Sequence, residues 1–330
     1  MRFLQKAYKW VEGLYRVYSS TGGFHEEEQK LMRKYYLPEN PKLGREGQQV
    51  VVMVDGRVTH GGLADRIRGI ASVYDYCKHH GIDFRINYYY PFPLEQYLAP
   101  ATKNWCIASQ DISYHPDEAR PVMLLCDQLP NKHHRKYLKH MLKKYPNHQL
   151  HVYTNTQFAD KYFKENFSEL FCPVVRLQET VDEQVEKGGG KYVAMVFRFQ
   201  QLLGDFKEGN YKVLSEVERE TLIEKCITKV HELHERNHPN ERVLITSDST
   251  TFLQRVEASL PYVFTIPGKV VHMDYTLDAN FEIYMKSFVD LLTLSYAQKV
   301  YLLKTGDMYK SGFAKRAAKI SNAEYQEIIF

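Results

Sequence analysis

The chain has 330 residues, with 44 Lys and Arg against 40 Asp and Glu and a formal net charge of +4. That balance is too weak to argue for a nucleic-acid partner. The 44% hydrophobic and 25% charged fractions are those of a globular protein long enough for two cores, and no run approaches the roughly 20 apolar residues of a membrane span.

Residues 1–47 form a segment of their own. Phe3, Ala7, Trp10, Val11, Leu14, Tyr15 and Tyr18 make an apolar stripe at helical spacing, accompanied by Arg2, Lys6, Lys9 and Arg16. Such a helix packs on its own protein or lies on an anionic membrane surface. The opening residues are charged too often for a secretory h-region, which predicts a cytoplasmic protein, peripheral at the inner face of the membrane if the helix binds lipid. From residue 48 onward strands and helices alternate. Strands are predicted at 49–55, 84–89, 120–126, 149–153, 192–198, 242–247, 261–266 and 299–303, on short β-branched and apolar runs. Helices are predicted at 62–80, 131–145, 156–170, 212–237, 249–259, 281–297 and 311–327, on the 3.6-residue period. Between the two sets, the polar stretch 176–190 ends in Gly188-Gly189-Gly190 and reads as a linker or hinge. The alternation predicts an α/β protein with mostly parallel sheets. Two doubly wound, Rossmann-like domains are expected, 48–180 and 181–330, facing each other across a cleft.

The usual nucleotide signatures, G-x-G-x-x-G and G-x-x-x-x-G-K-[ST], are missing. Cys77, Cys106, Cys126, Cys172 and Cys226 are odd in number and none forms a C-x-x-C pair, so they suit neither a disulfide framework nor a zinc site and read as buried thiols. The pairs His79-His80 and His133-His134 read as solvated helix faces, because adjacent helical residues point in different directions.

In open α/β sheets ligands bind beyond the carboxyl ends of the strands. At the first such end, His60-Gly61-Gly62-Leu63-Ala64-Asp65-Arg66 takes a glycine loop into a helix, where backbone N–H groups can meet an anion or a hydroxyl. Later, Arg198 closes an apolar strand, where its guanidinium suits a diphosphate or an interdomain salt bridge. Ser247-Asp248-Ser249 follows the next strand and reads equally as a helix cap or a contact to a ribose or base. Ser311-Gly312-Phe313 opens the last helix, with either a serine cap over a core Phe313 or a phosphate at the helix N-terminus. Taken together, three such strand ends in the second half suggest a nucleotide diphosphate site.

These segments resemble those of the GDP-fucose-dependent fucosyltransferase superfamily, with its α1,2, α1,6 and protein O-fucosyl branches. Gly62-Leu63-Ala64-Asp65-Arg66 resembles the G-x-G-N-R/Q-like segment, with Ala64 for a glycine and Asp65 for an asparagine. Val196-Phe197-Arg198-Phe199 is similar to the H-x-R-R-x-D strand end, where Arg198 matches the arginine that holds the donor diphosphate. Val196 replaces the histidine, Phe199 the second arginine, and Asp205 is the nearest aspartate. Phe288-Val289-Asp290-Leu291-Leu292-Thr293-Leu294-Ser295 and Ser311-Gly312-Phe313 resemble F-x-D-L-x-x-L-S and S-x-F.

The resemblance implies a GT-B fold and inverting transfer of fucose from GDP-fucose to a glycan or lipid-linked saccharide, with no metal and no cofactor. It implies donor contacts at Gly61, Gly62, Arg66, Arg198, Ser247, Asp248, Ser249, Ser311, Gly312 and Phe313. Catalytic roles fall to Arg198 and, as candidate bases, to Asp65 and His60. The alternatives are the same fold with another nucleotide sugar, or a glycan- or partner-binding protein without catalysis.

Overall fold

The computed structural model describes residues 5, 7, 8, 10–12, 14, 15, 23–125, 131–158, 160–205, 212–271, 273 and 280–330; Arg2, Phe3, Lys6, Lys9, Arg16, Tyr18 and Cys126 lie outside them. Two compact units divide the chain, Met1–Gly61 with Asp65–Cys172 and Gly62–Ala64 with Pro173–Phe330.

In the first unit, helix α1 (Gly23–Tyr35) precedes β1 (Gln49–Val54), α2 (Leu63–His80) and β2 (Asp83–Tyr88). Then follow β3 (Leu98–Pro100), β4 (Ala119–Leu124), α3 (Asn131–Lys144), β5 (Gln149–Thr154), α4 (Phe163–Leu170) and β6 (Phe171–Pro173). The main sheet runs β2-β1-β5-β4 with every pair parallel. Both central strands are buried along their whole length, as the unbroken Val50-Val51-Val52-Met53-Val54 run requires of a strand covered on both faces. Strand order reverses between β1 and β5, so the loops after these two strands flank the switch point. Helix α2 lies directly on this point. A Cβ on Gly69 would come 2.7 Å from the Thr154 carbonyl oxygen, so only glycine fits there.

Helix α1 is fastened to β4 and α3 by one carboxylate. Glu28 accepts from the Met123 N–H at 2.8 Å and from the Tyr137 hydroxyl at 2.9–3.0 Å. Burial pushes its carboxyl up to about 7, against the lowering effect of these donors and of Lys144. A raised carboxyl favours the protonated fold. Its contribution is therefore complete below the ordinary Glu range and fades as pH rises from about 4.5 to about 7. Glu28→Gln is expected to remove this dependence. It should gain up to about 3 kcal/mol on the parent between pH 5 and pH 8. Thermal unfolding of both proteins at the two pH values measures it, and parallel pH profiles would refute it.

The second unit contains α5 (Val175–Lys187), β7 (Tyr192–Phe197), α6 (Glu216–Asn237), β8 (Arg242–Ser247) and α7 (Thr250–Ser259). Next come β9 (Val263–Thr265), α8 (Phe281–Tyr296), β10 (Lys299–Lys304), α9 (Phe313–Ser321) and β11 (Glu324–Ile329). Its sheet is parallel in the order β11-β10-β7-β8-β9. Strands β8 and β9 build out on one side of β7, while β10 and β11 build out on the other. The switch point is therefore between β7 and β10. Ile223, Cys226, Ile227, Val230 and Leu233 of α6 pack with Met195, Phe197, Ile245 and Phe252 in one core.

The structure corrects several expectations. Residues 175–187 are helix, with Leu177, Val181 and Gln184 on its buried face. The triple glycine is the stop of that helix and not a linker. Gly190 N–H returns to the Val185 carbonyl, and Gly189 and Gly190 take positive φ values of 76° and 75°. The last helix ends at Ser321, since Asn322 turns left-handed at φ 64°, and the remainder is strand β11 against β10. Residues 156–158 and 160–162 are not helix, and α4 begins at Phe163. Cys172 is exposed and Cys106 half-buried, while His134 is fully buried and not on a solvated face. Among the described residues, no helix is long and apolar enough to cross a membrane.

Candidate functional site

The switch point of the second sheet gathers three of the segments singled out in the sequence. Strands β10, β7 and β8 are neighbours, so their carboxyl ends bring the 304–313 loop, Arg198 and Ser247–Ser249 together. Register accounts for the finest contact. Phe197 stands opposite Ser247, and the next residues on each strand, Arg198 and Asp248, meet as an ion pair with Nη1 3.1 Å from Oδ2. Asp248 also accepts the Phe199 N–H at 2.8 Å and the Gln200 N–H at 2.7 Å. Gln200 is held there at φ 55°, left-handed backbone that a non-glycine residue adopts only when its surroundings enforce it. Burial pushes the Asp248 carboxyl up, and Arg198 and the two N–H groups oppose that rise. Arg198 keeps 17% of its side chain exposed while Asp248 keeps 1%, so the pair presents the cation outward and hides the carboxylate.

The serines behave differently. Ser249 caps α7 by accepting the Phe252 N–H at 3.1 Å, and its hydroxyl donates to Asp205 at 2.8 Å. Ser247 accepts the Ser249 N–H at 3.1 Å. Ser247, Asp248 and Ser249 are all buried, so this cluster first serves to shape the strand end. Asp205 also accepts the Thr251 N–H, and its Oδ1 is buried with no hydrogen-bond partner among the described residues. The loop after β10 is tied to β7 by the Tyr309 N–H, which donates to the Arg198 carbonyl at 3.0 Å. Gly312 is the N-cap of α9 and brings no side-chain acceptor, while the Ser311 hydroxyl accepts the Phe313 N–H at 3.1 Å. Gly312 is exposed, with nothing within 4 Å of where a Cβ would stand, which leaves the helix terminus approachable. Phe313 is half-buried.

In the first sheet the glycine loop follows β1, at the corresponding switch point. Gly61 is needed for its backbone, at φ 79°, while Gly62 has open space around its Cβ direction. Arg66 is buried at 1% exposure and braces the loop from beneath. It donates to the Gly61 carbonyl at 2.9 Å, the Tyr90 carbonyl at 2.9 Å and the Tyr88 hydroxyl at 3.1 Å. His60 is equally buried, its Nδ1 3.3 Å from the Thr154 carbonyl and its ring stacked on Tyr153. Asp65, in the first turn of α2, keeps 38% of its side chain exposed and pairs with Arg68 at 3.3 Å.

The pairing of Arg198 with Asp248 went unread in the sequence. Its signal was present in the adjacency of two strands whose carboxyl ends carry opposite charges, but the pairing needs the sheet order to be seen.

Two parallel-sheet α/β units of this winding define the GT-B class of fold. No protein-family model matches the sequence, and no curated protein matches it. Solved structures do match. The NodZ alpha-1,6-fucosyltransferase soaked with GDP-fucose superposes with a TM-score of 0.55 at 13% identity, over 84% of this chain and 93% of that one. The enzyme from Bradyrhizobium gives 0.55 at 13%, over 83% and 92%. A mutant of Arabidopsis thaliana FUT1 in complex with GDP gives 0.52 at 12%, over 98% of this chain and 78% of that one. The POFUT1 apo-form gives 0.50 at 11%, over 87% and 99%. The chain thus has the fold of these fucosyltransferases.

Proposed function

We propose that the chain is a glycosyltransferase that takes its sugar from a nucleotide diphosphate donor, GDP-fucose in first place, and passes it with inversion to a glycan acceptor, free or lipid-linked. The observation that carries this reading is the partly exposed Arg198 guanidinium at the switch point of the second sheet, aimed by a buried carboxylate and adjoining a helix N-terminus whose N-cap is the exposed Gly312. The fucosyltransferase structures of the same fold that were soaked with GDP-fucose or solved in complex with GDP support it.

In this reaction the acceptor oxygen forms a bond to the sugar's anomeric carbon as the bond from that carbon to the diphosphate oxygen breaks. Negative charge grows on the leaving diphosphate. Arg198 and the Gly312 N–H at the start of α9 are the proposed partners of that charge, so the positive charge comes from the protein itself and no metal is assigned. The acceptor hydroxyl loses its proton to a base. Asp65 is the better candidate, because its carboxylate is accessible whereas His60 is enclosed. Gly61, Gly62 and Arg66 are proposed to form and brace the acceptor element. Ser247, Asp248 and Ser249 are proposed to act chiefly by shaping the donor side.

One observation favours a second reading, a binding protein without catalysis. Val196 and Phe199, which stand where the resembled family has a histidine and a second arginine, are both buried in the core. Calorimetric titration with GDP, UDP, CMP and GDP-fucose tests the proposal. Selective binding of GDP and GDP-fucose, followed by transfer to a glycan acceptor library read by mass spectrometry, is expected. Failure to bind any of the four would overturn it.

A further inference from the structure

Helix α3 has no acidic residue. Its inner face, Tyr137, Leu138, Met141 and Leu142, is buried. Its outer face exposes Lys132, Arg135, Lys136, Lys139, Lys143 and Lys144. None of these six forms an ion pair among the described residues, whereas Lys30 of α1 is matched by both Glu26 and Glu27. The whole chain carries only +4, so this one helix face concentrates positive charge that the rest of the surface balances.

A second observation adjoins it. Residues 5–15 are helical wherever they are described, and the Trp10 ring meets the His133 ring of α3 edge-on at 6.4 Å. Tyr8, Val11 and Tyr15, at i, i+3 and i+7, fall on one stripe of this helix and stay exposed at 72%, 58% and 53%. An apolar stripe turned outward beside an unpaired cationic helix face is the pattern of an element that lies in a bilayer interface. A soluble polyanion would use the charges alone and gain nothing from Val11.

We infer that this face of the first unit docks on a membrane surface rich in anionic lipid, with the cations of α3 against the headgroups and the Tyr8, Val11 and Tyr15 stripe at the acyl boundary. The inference stands on residues outside the proposed transfer site and is independent of it.

The test is co-sedimentation of the full chain with vesicles of phosphatidylcholine alone, and of phosphatidylcholine with about a third phosphatidylglycerol. Binding only to the anionic vesicles is expected, weakening as salt rises from ~0.1 M to ~0.5 M. Lys132→Gln, Lys136→Gln, Lys139→Gln and Lys143→Gln together should lower partitioning roughly fivefold per lysine. Circular dichroism identical to the parent's would show that the fold is kept. A second variant, Tyr8→Ser, Val11→Ser and Tyr15→Ser together, should also lose vesicle binding with its charge unchanged. Absence of binding to anionic vesicles, or full binding by the glutamine variant, would overturn the inference. Vesicle binding unchanged in the serine variant, with retention on heparin, would make the face a general polyanion site and overturn the lipid assignment.

Discussion

Arg198→Ala is expected to bind GDP or GDP-fucose roughly a hundredfold more weakly than the parent, and to lose a further factor of about ten in transfer. The first factor reflects the loss of charge-assisted hydrogen bonds to a diphosphate, and the second the charge that builds on the leaving group only as the bond breaks. Removing the guanidinium also strands the Asp248 carboxylate, which keeps its two backbone donors but loses its ion pair. A stability cost of about 2 kcal/mol should therefore accompany the functional loss. Arg198→Lys separates the two effects. An ammonium can still pair with Asp248 and so keep the second unit stable, but it cannot offer two parallel N–H groups to a diphosphate. Calorimetric titration and unfolding of the two variants side by side is the measurement. A lysine variant that binds and transfers like the parent would remove Arg198 from the proposed role.

The second large effect is expected at Asp248. Asp248→Asn replaces one carboxylate oxygen with an amide that faces donors, the Arg198 guanidinium and the Gln200 N–H if Oδ2 is the one replaced. Either orientation of the amide leaves a buried donor facing a donor, at a site where the side chain is 1% exposed. The expected cost is about 3 kcal/mol, a fall of roughly 10 °C in the unfolding of the second unit. The Phe199 and Gln200 amides should lose protection from hydrogen exchange before the rest of β7, because both donate to that carboxylate. Nucleotide affinity should fall with it, although Asp248 is not assigned to touch the ligand. A variant as stable as the parent, with both amides protected, would show that the turn is fixed by something else.

These two residues also mark how far the sequence could be read. Short apolar runs such as Val50–Val54 and Tyr192–Phe197 announce buried parallel strands, because a strand covered on both faces has no reason to alternate. The helices after β1 and β8 follow from their glycine loop and serine cap. By contrast, residues 175–187 carry a helical stripe of Leu177, Val181 and Gln184 in which one of the three buried positions is polar, and the polar majority hides it. Strand β11 has exposed residues on both sides of its alternation, as befits the edge of a sheet, and so resembles the tail of the preceding helix. The segment Phe288–Ser295 is buried along its length in α8, so the motif reports packing of the second unit and not a ligand contact. Arg198 stood out because a cation at the end of an apolar strand needs a reason. Arg66 did too, but its three partners lie in the loop and the strand end around it, and its role as a brace became visible only with them.

The winding of the second sheet has a further consequence, for the order of events as the chain is made. Strand β7 is the centre of that sheet and the first of its strands to be synthesised. Every pairing in the sheet is parallel, so β7 cannot find a partner by turning back in a hairpin. Its first neighbour, β8, arrives only after the 22 residues of α6, and its second, β10, only after β8, β9 and two further helices. For that interval Tyr192–Phe197, uncharged and rich in residues that favour strands, has no native edge to join. Glu186, Lys187, the three glycines and Lys191 immediately before it, and Arg198 immediately after, are its gatekeepers. The same arginine that faces outward in the finished sheet thus also guards the nascent strand against pairing with a copy of itself.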